Sequence, residues 1–276
     1  MVGLTNQLRS MTFLLGLFLA GSTCFPQERR GPSPVPIQSS KPGIQDNSFL
    51  IEEAYNQEQG VVQHISSFSL SLSSERSWLY QFTQEWPAVG QSHQISCTIP
   101  YESIGDGAAR GIGDVLINYR YQFAAAADWA WVAPRLSVIL PTGDHNRGLG
   151  DGSFGLQIAV PISKEMSDFL IYHVNFGGKF IFSSGTPTSY YAGGSAVWRP
   201  VADLNFLLES LIVSNAAAES NGAAGRETEF VISPGSRFAL NFSRLQVVPG
   251  IGIPISFRNG ETSSSLFLYL SFEHPF

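Results

Sequence analysis

The residues best suited to chemistry are few and far apart. His64-Ile65-Ser66 sets an imidazole and a hydroxyl two positions apart, which on an extended strand is one face. A base within reach of a serine is the start of a hydrolase, but no third residue to orient the base follows. A hydrolase is therefore the weakest reading, and no catalytic residue is assigned. Gly143-Asp144-His145-Asn146 carries donors for a cation, yet its composition is first that of a surface turn. Gly105-Asp106-Gly107 and Gly148-Leu149-Gly150-Asp151-Gly152 are also turns, because no strand-to-helix context accompanies them to cradle a phosphate. Cys24 and Cys97 are the two cysteines, and their placement suggests neither a disulfide framework nor a metal site. Gly21-Ser22-Thr23 lacks the small residue that lipidation of Cys24 needs immediately before it. No cofactor is expected.

A second set of candidates is spread along the chain: Asp114, Arg120, Arg135, His173, Lys179, Arg199, Glu209, Glu229 and Arg237. Each lies on the polar parity of a segment with period two. Val115, Ile117, Tyr119, Tyr121 and Phe123 alternate with Asp114, Leu116, Asn118, Arg120 and Gln122. Phe230, Ile232, Pro234, Ser236 and Phe238 alternate with Glu229, Val231, Ser233, Gly235 and Arg237. That period separates the two faces of a strand. An Arg or Lys on a lipid-facing strand face costs about 2–4 kcal/mol at mid-membrane. If the apolar face meets lipid, the charged residues must therefore line a lumen. There they would either pair with one another and fill it, or form a constriction that selects solutes.

The composition suits strands in lipid. Charged residues make up 14% of the 276 and aromatics 12%, the formal net charge is −6, and mean hydropathy is only +0.05. No apolar run approaches the roughly 20 residues of a spanning helix. The mild acidity, without Lys/Arg clusters, argues against nucleic acid as a partner. Arg9 followed by Met11–Ala20 and the small residues Gly21-Ser22 has the form of a secretory signal. The expected organisation is a signal peptide at 1–22 and a Pro/Ser/Gly-rich, disordered periplasmic linker at 23–48. A short ordered segment at 49–60 and a barrel at 61–276 follow.

Strands are expected near 61–73, 76–86, 91–101, 112–125, 128–141, 152–163, 167–183, 188–199, 203–214, 227–242, 244–258 and 263–276. Many run about 11–15 residues, longer than the five or six usual in soluble sheets and long enough to cross a bilayer. Ala126-Ala127, Lys164-Glu165-Met166, Pro200-Val201-Ala202 and Ser243 mark short turns. Ser103–Gly111, Thr142–Asp151, Ser184–Pro187, Asn215–Arg226 and Asn259–Thr262 mark longer loops that alternate with them. Trp78, Tyr80, Trp86, Tyr101, Tyr121, Trp129, Trp131, Tyr190, Tyr191 and Trp198 fall towards segment ends, as interfacial girdles do. The fold class is all-β: a closed antiparallel up-and-down transmembrane barrel of about 12 strands in a bacterial outer membrane. The last strand keeps Leu266, Leu268, Leu270, Phe272 and Phe276 on one parity and ends on Phe276. It resembles the strand read by the outer-membrane assembly machinery, with Phe272 and Phe276 as the signal.

Three stretches carry a family resemblance: Ile51–His64; Leu140-Pro141-Thr142-Gly143-Asp144 with Gly148–Gly152; and Phe230–Gly235 through Val248–Gly252 to the end. Over residues 49–276 the chain resembles the outer-membrane family named for the MetA pathway of phenol degradation. The resemblance implies a channel or transporter for small organic solutes, aromatic or hydrophobic ones among them. It carries over no binding residue. A non-transporting structural or surface-interaction barrel is the alternative. Within the channel reading, residues 51–60, with Glu52, Glu53 and Tyr55, are expected to tuck into the periplasmic mouth as a plug that places Glu52 and Glu53 near the lumen arginines; a free periplasmic strand is the alternative.

Overall fold

The computed structural model describes residues 43–44, 46–74, 76–124, 129–183, 188–218 and 224–276. The signal peptide, most of the linker, the Ala126-Ala127 turn and the Ser184–Pro187 loop lie outside the described residues. Sixteen strand segments follow in order: β1 Val61–Ser71, β2 Trp78–Pro87, β3 His93–Ile104, β4 Ala109–Ile112, β5 Val115–Tyr121, β6 Trp131–Val132, β7 Arg135–Leu140 and β8 Gly155–Ser167. Then come β9 Leu170–Ile181, β10 Ser189–Val201, β11 Leu204–Ala218, β12 Ala224–Phe238, β13 Leu240–Phe242, β14 Leu245–Gly252, β15 Ile255–Arg258 and β16 Glu261–Pro275. Four pairs of segments (β4 with β5, β6 with β7, β12 with β13, β14 with β15) are single strands with a short interruption. The result is a closed antiparallel barrel of twelve strands.

Closure is made by β1 against β16, in register from Val61↔Pro275 to Ser71↔Ser265. It pairs residues from the two ends of the barrel, leaving no edge unsatisfied in lipid. The Phe276 amide adds a bond to the Gly60 carbonyl at 3.0 Å. The twelve strands follow the alternating pattern closely. The turns are shorter or displaced where a strand continues past its apolar run. β8 runs through Lys164-Glu165-Met166, with an irregularity between Glu165 and Ser167, and turns at 168–169. β10 similarly runs to Val201. The loop expected over Ser103–Gly111 is instead a tight hairpin, since β3 continues to Ile104 and pairs with β4. Its corner uses Asp106 at φ 54° between two glycines. Asn259-Gly260, with φ 50° and 80°, is the two-residue turn that matches the twist of a hairpin.

Outward residues such as Ile95, Ile158, Val174, Phe206, Ile212 and Leu268 remain exposed and form the lipid-facing band. Inward residues are mostly buried although many are polar: Gln94, Asn118, Arg120, Arg135, Gln157, His173, Asn175, Glu209 and Arg237. A water-filled barrel would leave them accessible, so something covers them. The short turns at 168–169, 202–203 and 243–244 share the end that carries both barrel termini, which is the periplasmic end of such folds.

Candidate functional site

Residues 43–44 and 46–59 run through the periplasmic half of the lumen and cover these side chains. The segment is not a strand of the sheet, so its buried amides need acceptors from the wall. Strand alternation supplies them. Glu209 on β11 accepts from the amides of Leu50 (2.9 Å) and Ile51 (3.1 Å). Asn175 on β9 accepts from the Glu52 amide at 2.6 Å and donates to the Glu52 carbonyl at 2.8 Å. Ser163, Gln122 and Gln94 accept from the amides of Ala54, Asn56 and Gln57 at 2.8, 3.1 and 2.8 Å.

Three arginines bind the segment from different strands. Arg237 on β12 donates to the carbonyls of Asp46 (2.7 Å) and Asn47 (2.5 Å) and to the Glu53 carboxylate (3.0 Å). Arg135 on β7 grips Glu52 with two parallel bonds of 2.9 and 2.6 Å, the geometry a guanidinium fork favours. Arg120 on β5 donates to the Asn56 side chain (2.9 Å) and to the carbonyls of Glu53 (3.1 Å) and Tyr55 (2.5 Å). Asp46 accepts from Tyr269, Ser271 and Gln63. Burial pushes the Glu53 carboxyl up to about 7, against the opposing pull of Arg237. Burial also raises Asp46, again opposed by Arg237.

Apolar side chains complete the docking. Phe49 lies 5.3 Å from the Phe267 ring and 5.5 Å from Tyr269. It fits over Gly235, Gly250 and Gly252, where an added Cβ would come within 2.6–2.9 Å of the Phe49 ring. Ile51 packs with Leu211 and Val213, and Tyr55 meets Trp131 edge-on at 5.0 Å.

The sequence candidates thus fall into separate groups. Arg120, Arg135, His173, Glu209 and Arg237 converge on the segment, together with Glu52, Glu53 and Tyr55. Asp114, Lys179 and Glu229 do not, and Arg199 meets only the start of the segment, where a Cβ on Gly43 would lie 3.8 Å from its guanidinium. Asp114 accepts from the amides of Gly143 (3.0 Å) and Asp151 (2.6 Å), anchoring the 141–154 loop, and Lys179 pairs with Asp151 at 2.5 Å. Glu229 accepts from Ser256, and Arg199 reaches Glu165 at 3.2 Å near the periplasmic rim. Phe272 faces outward against His64, and Phe276 is exposed.

Other expectations need correction. The buried segment begins before Phe49, since Ile44, Asp46 and Ser48 are also buried. Its polar composition reads as a linker, and only the wall's Gln63, Tyr269, Ser271 and Arg237 give Asp46 and its neighbours somewhere to bond. Trp131 and Tyr191 point inward rather than joining a girdle; Tyr191 accepts from Gln157 at 3.2 Å. Adjacent residues on a strand face opposite ways, so Tyr190 and Tyr191 cannot both lie in the outer belt. His64 and Ser66 do face outward together, but Ser66 bonds Tyr80 at 3.1 Å and His64 meets His274.

The lumen contains a Ser–His–Glu alignment that no sequence spacing reveals. Ser163 Oγ is 2.7 Å from His173 Nδ1, and His173 Nε2 lies 3.5 Å from Glu53 without a hydrogen bond between them. Ser163 is fully buried and already accepts from Ala54, so no substrate carbonyl can reach it. Here the three residues dock the segment.

No protein-family model and no curated protein sequence matches the chain. Among solved structures it is similar to an outer-membrane channel from Pseudomonas putida F1, with TM-score 0.56 and 13% identity over 81% of this chain and 98% of that one. It is also similar to the NanC porin, with TM-score 0.51 and 10% identity over 76% of this chain and 98% of that one. At such identities the likeness is one of fold. Closed twelve-strand architecture and a lipid-facing apolar band make this chain a β-barrel of the bacterial outer membrane.

Proposed function

We propose that the barrel is an outer-membrane channel for small organic solutes, closed at its periplasmic half by residues 43–44 and 46–59. The observation that carries this reading is where the lumen's polar groups find their partners. Arg120, Arg135, Glu209 and Arg237 bond a separate chain segment rather than only each other. Withdrawal of that segment would leave a continuous hydrophilic wall around an aqueous path, with three arginines biasing it towards anionic or hydrogen-bonding solutes. The family resemblance of the sequence adds aromatic and hydrophobic compounds to the solute class. Transport is passive on this reading, and membrane lipid and the assembly machinery are the barrel's other partners.

The density of the same network supports a second reading, a permanently filled barrel with a structural or surface role. Bilayer conductance and liposome-swelling rates of the complete barrel, compared with a variant lacking residues 43–59, separate the two. The channel reading expects a large increase in conductance on deletion, with anion selectivity that falls when Arg135 and Arg237 become Gln. A correctly folded deletion variant that stays silent would leave the filled barrel standing.

A further inference from the structure

We propose that His64 and His274 form a two-imidazole site for a divalent transition-metal ion, with Zn²⁺ as the reference ion. The site lies on the outer wall at the periplasmic rim. The two residues are 210 positions apart in sequence and meet where the barrel closes, with their Nε2 atoms 3.2 Å apart. Two imidazole nitrogens on a tetrahedral zinc, each about 2.0–2.1 Å from the ion, lie about 3.3–3.4 Å apart. The pair is therefore already near the separation that chelation needs. Without metal, two neutral imidazoles in this contact share one proton in an N–H···N bond. An incoming ion takes that proton's place on Nε2, and the proton moves to Nδ1 of the same ring, so both ligands remain neutral imidazoles.

The backbone explains the meeting. His64 stands opposite Phe272, and His274 stands opposite Val62, so the histidines are diagonal neighbours on one face of the β1–β16 pair. Their rings are nearly parallel, 21° apart, and His64 stacks on Phe272 at 4.6 Å and Phe82 at 6.1 Å. This packing holds the His64 ring in place before any ion arrives. His274 Nδ1 lies 3.1 Å from the Pro275 carbonyl. A proton on Nδ1 donates there and leaves the Nε2 lone pair for the ion, as second-shell carbonyls do for metal-bound histidines. Both imidazoles are partly exposed, which gives the ion an entry path and leaves two positions for water or a lipid phosphate oxygen. Gln84, opposite His64 on β2, is the neighbouring polar residue on that face. Among the described residues no group of three or more His, Cys, Asp or Glu could hold an ion; this pair lies outside the lumen, on the same outward face as Phe272.

The position has a structural consequence. Gln63 and Glu273, the chain neighbours of the two histidines, face inward and both accept from the Gln57 side chain, at 2.5 and 3.2 Å. A bound ion would bridge the first and last strands at the level where the lumenal segment ends.

The test uses tag-free refolded protein in detergent, titrated with Zn²⁺ in equilibrium dialysis and with Co²⁺ for its tetrahedral absorption. The expected result is one ion per barrel, with affinity falling at least tenfold in both His64→Ala and His274→Ala but not in His93→Ala. Saturating Zn²⁺ should also raise the midpoint of heat-modifiable migration by about 5 °C in the parent and leave both variants unmoved. No uptake by the parent at about 100 µM free Zn²⁺, equivalent to affinity weaker than about 5 kcal/mol, overturns the proposal. Uptake that survives both substitutions overturns it too, because the ion is then elsewhere. If His64→Ala fails to fold, His274→Ala, two residues from the chain end, decides the matter.

Discussion

Replacing Arg237 by Met tests the lumenal closure where it is most concentrated. Arg237 is 1% exposed, and its guanidinium donates to the segment at two carbonyls and at the Glu53 carboxylate. Met keeps much of the volume and removes every donor. It leaves two buried carbonyls short of a partner and Glu53 without its cation. Breaking a buried pair from one side costs about 3–5 kcal/mol, because Glu53 must then either stay charged without its cation or take up a proton in order to remain buried. The docked population should thus fall by a factor of at least about 100, at about 1.4 kcal/mol per factor of ten. The readout is labelling of a cysteine at Ser48, a buried position on the segment, by a membrane-impermeant maleimide. Cys24 and Cys97 are replaced by Ala in this background. When undocking is fast, the labelling rate follows the undocked fraction, so Arg237→Met should label about 100-fold faster than the parent. Heat-modifiable migration confirms that the barrel itself remains folded. Adding Glu53→Gln should recover part of the loss, since no unpaired charge then remains. A labelling rate within threefold of the parent would refute the claim that Arg237 holds the segment.

Two further outcomes follow from the same geometry. Glu53 has its carboxyl raised from 4.5 to about 7, so the docked state binds more protons than the released one between those values. Docking should be firmest below about pH 4.5 and weaken as pH rises through about 7, by an amount on the order of 3 kcal/mol. Raised Asp46 acts in the same direction. Conductance should therefore rise from pH 5 to pH 8, with the rise flattened in Glu53→Gln; equal profiles would remove Glu53 from the account. Phe49→Ala should weaken docking by about 3–5 kcal/mol by emptying the space over Gly235, Gly250 and Gly252, read by the same cysteine labelling.

Much of the fold is determined locally. Alternation in Val115–Phe123 or Phe230–Phe238 assigns each side chain to lipid or lumen, because a strand repeats every two residues whatever it pairs with. The strand number and the inward direction of Arg120, Arg135, Glu209 and Arg237 follow from that pattern and from the cost of charge in lipid. What each inward residue bonds does not follow. Asp114 and Arg135 share a parity pattern, yet one anchors a loop and the other grips Glu52, since their heights in the barrel and the path of other segments differ. Glu52, Glu53 and Tyr55 are identifiable because an acidic, aromatic stretch precedes a lumen rich in arginine. Asp46, Asn47 and Ser48 are not, because a polar linker and a polar buried segment have the same composition until a wall supplies partners. The meeting of His64 with His274 is further still from local information. Only closure of the barrel brings positions 210 apart together, and no period along the chain encodes that contact.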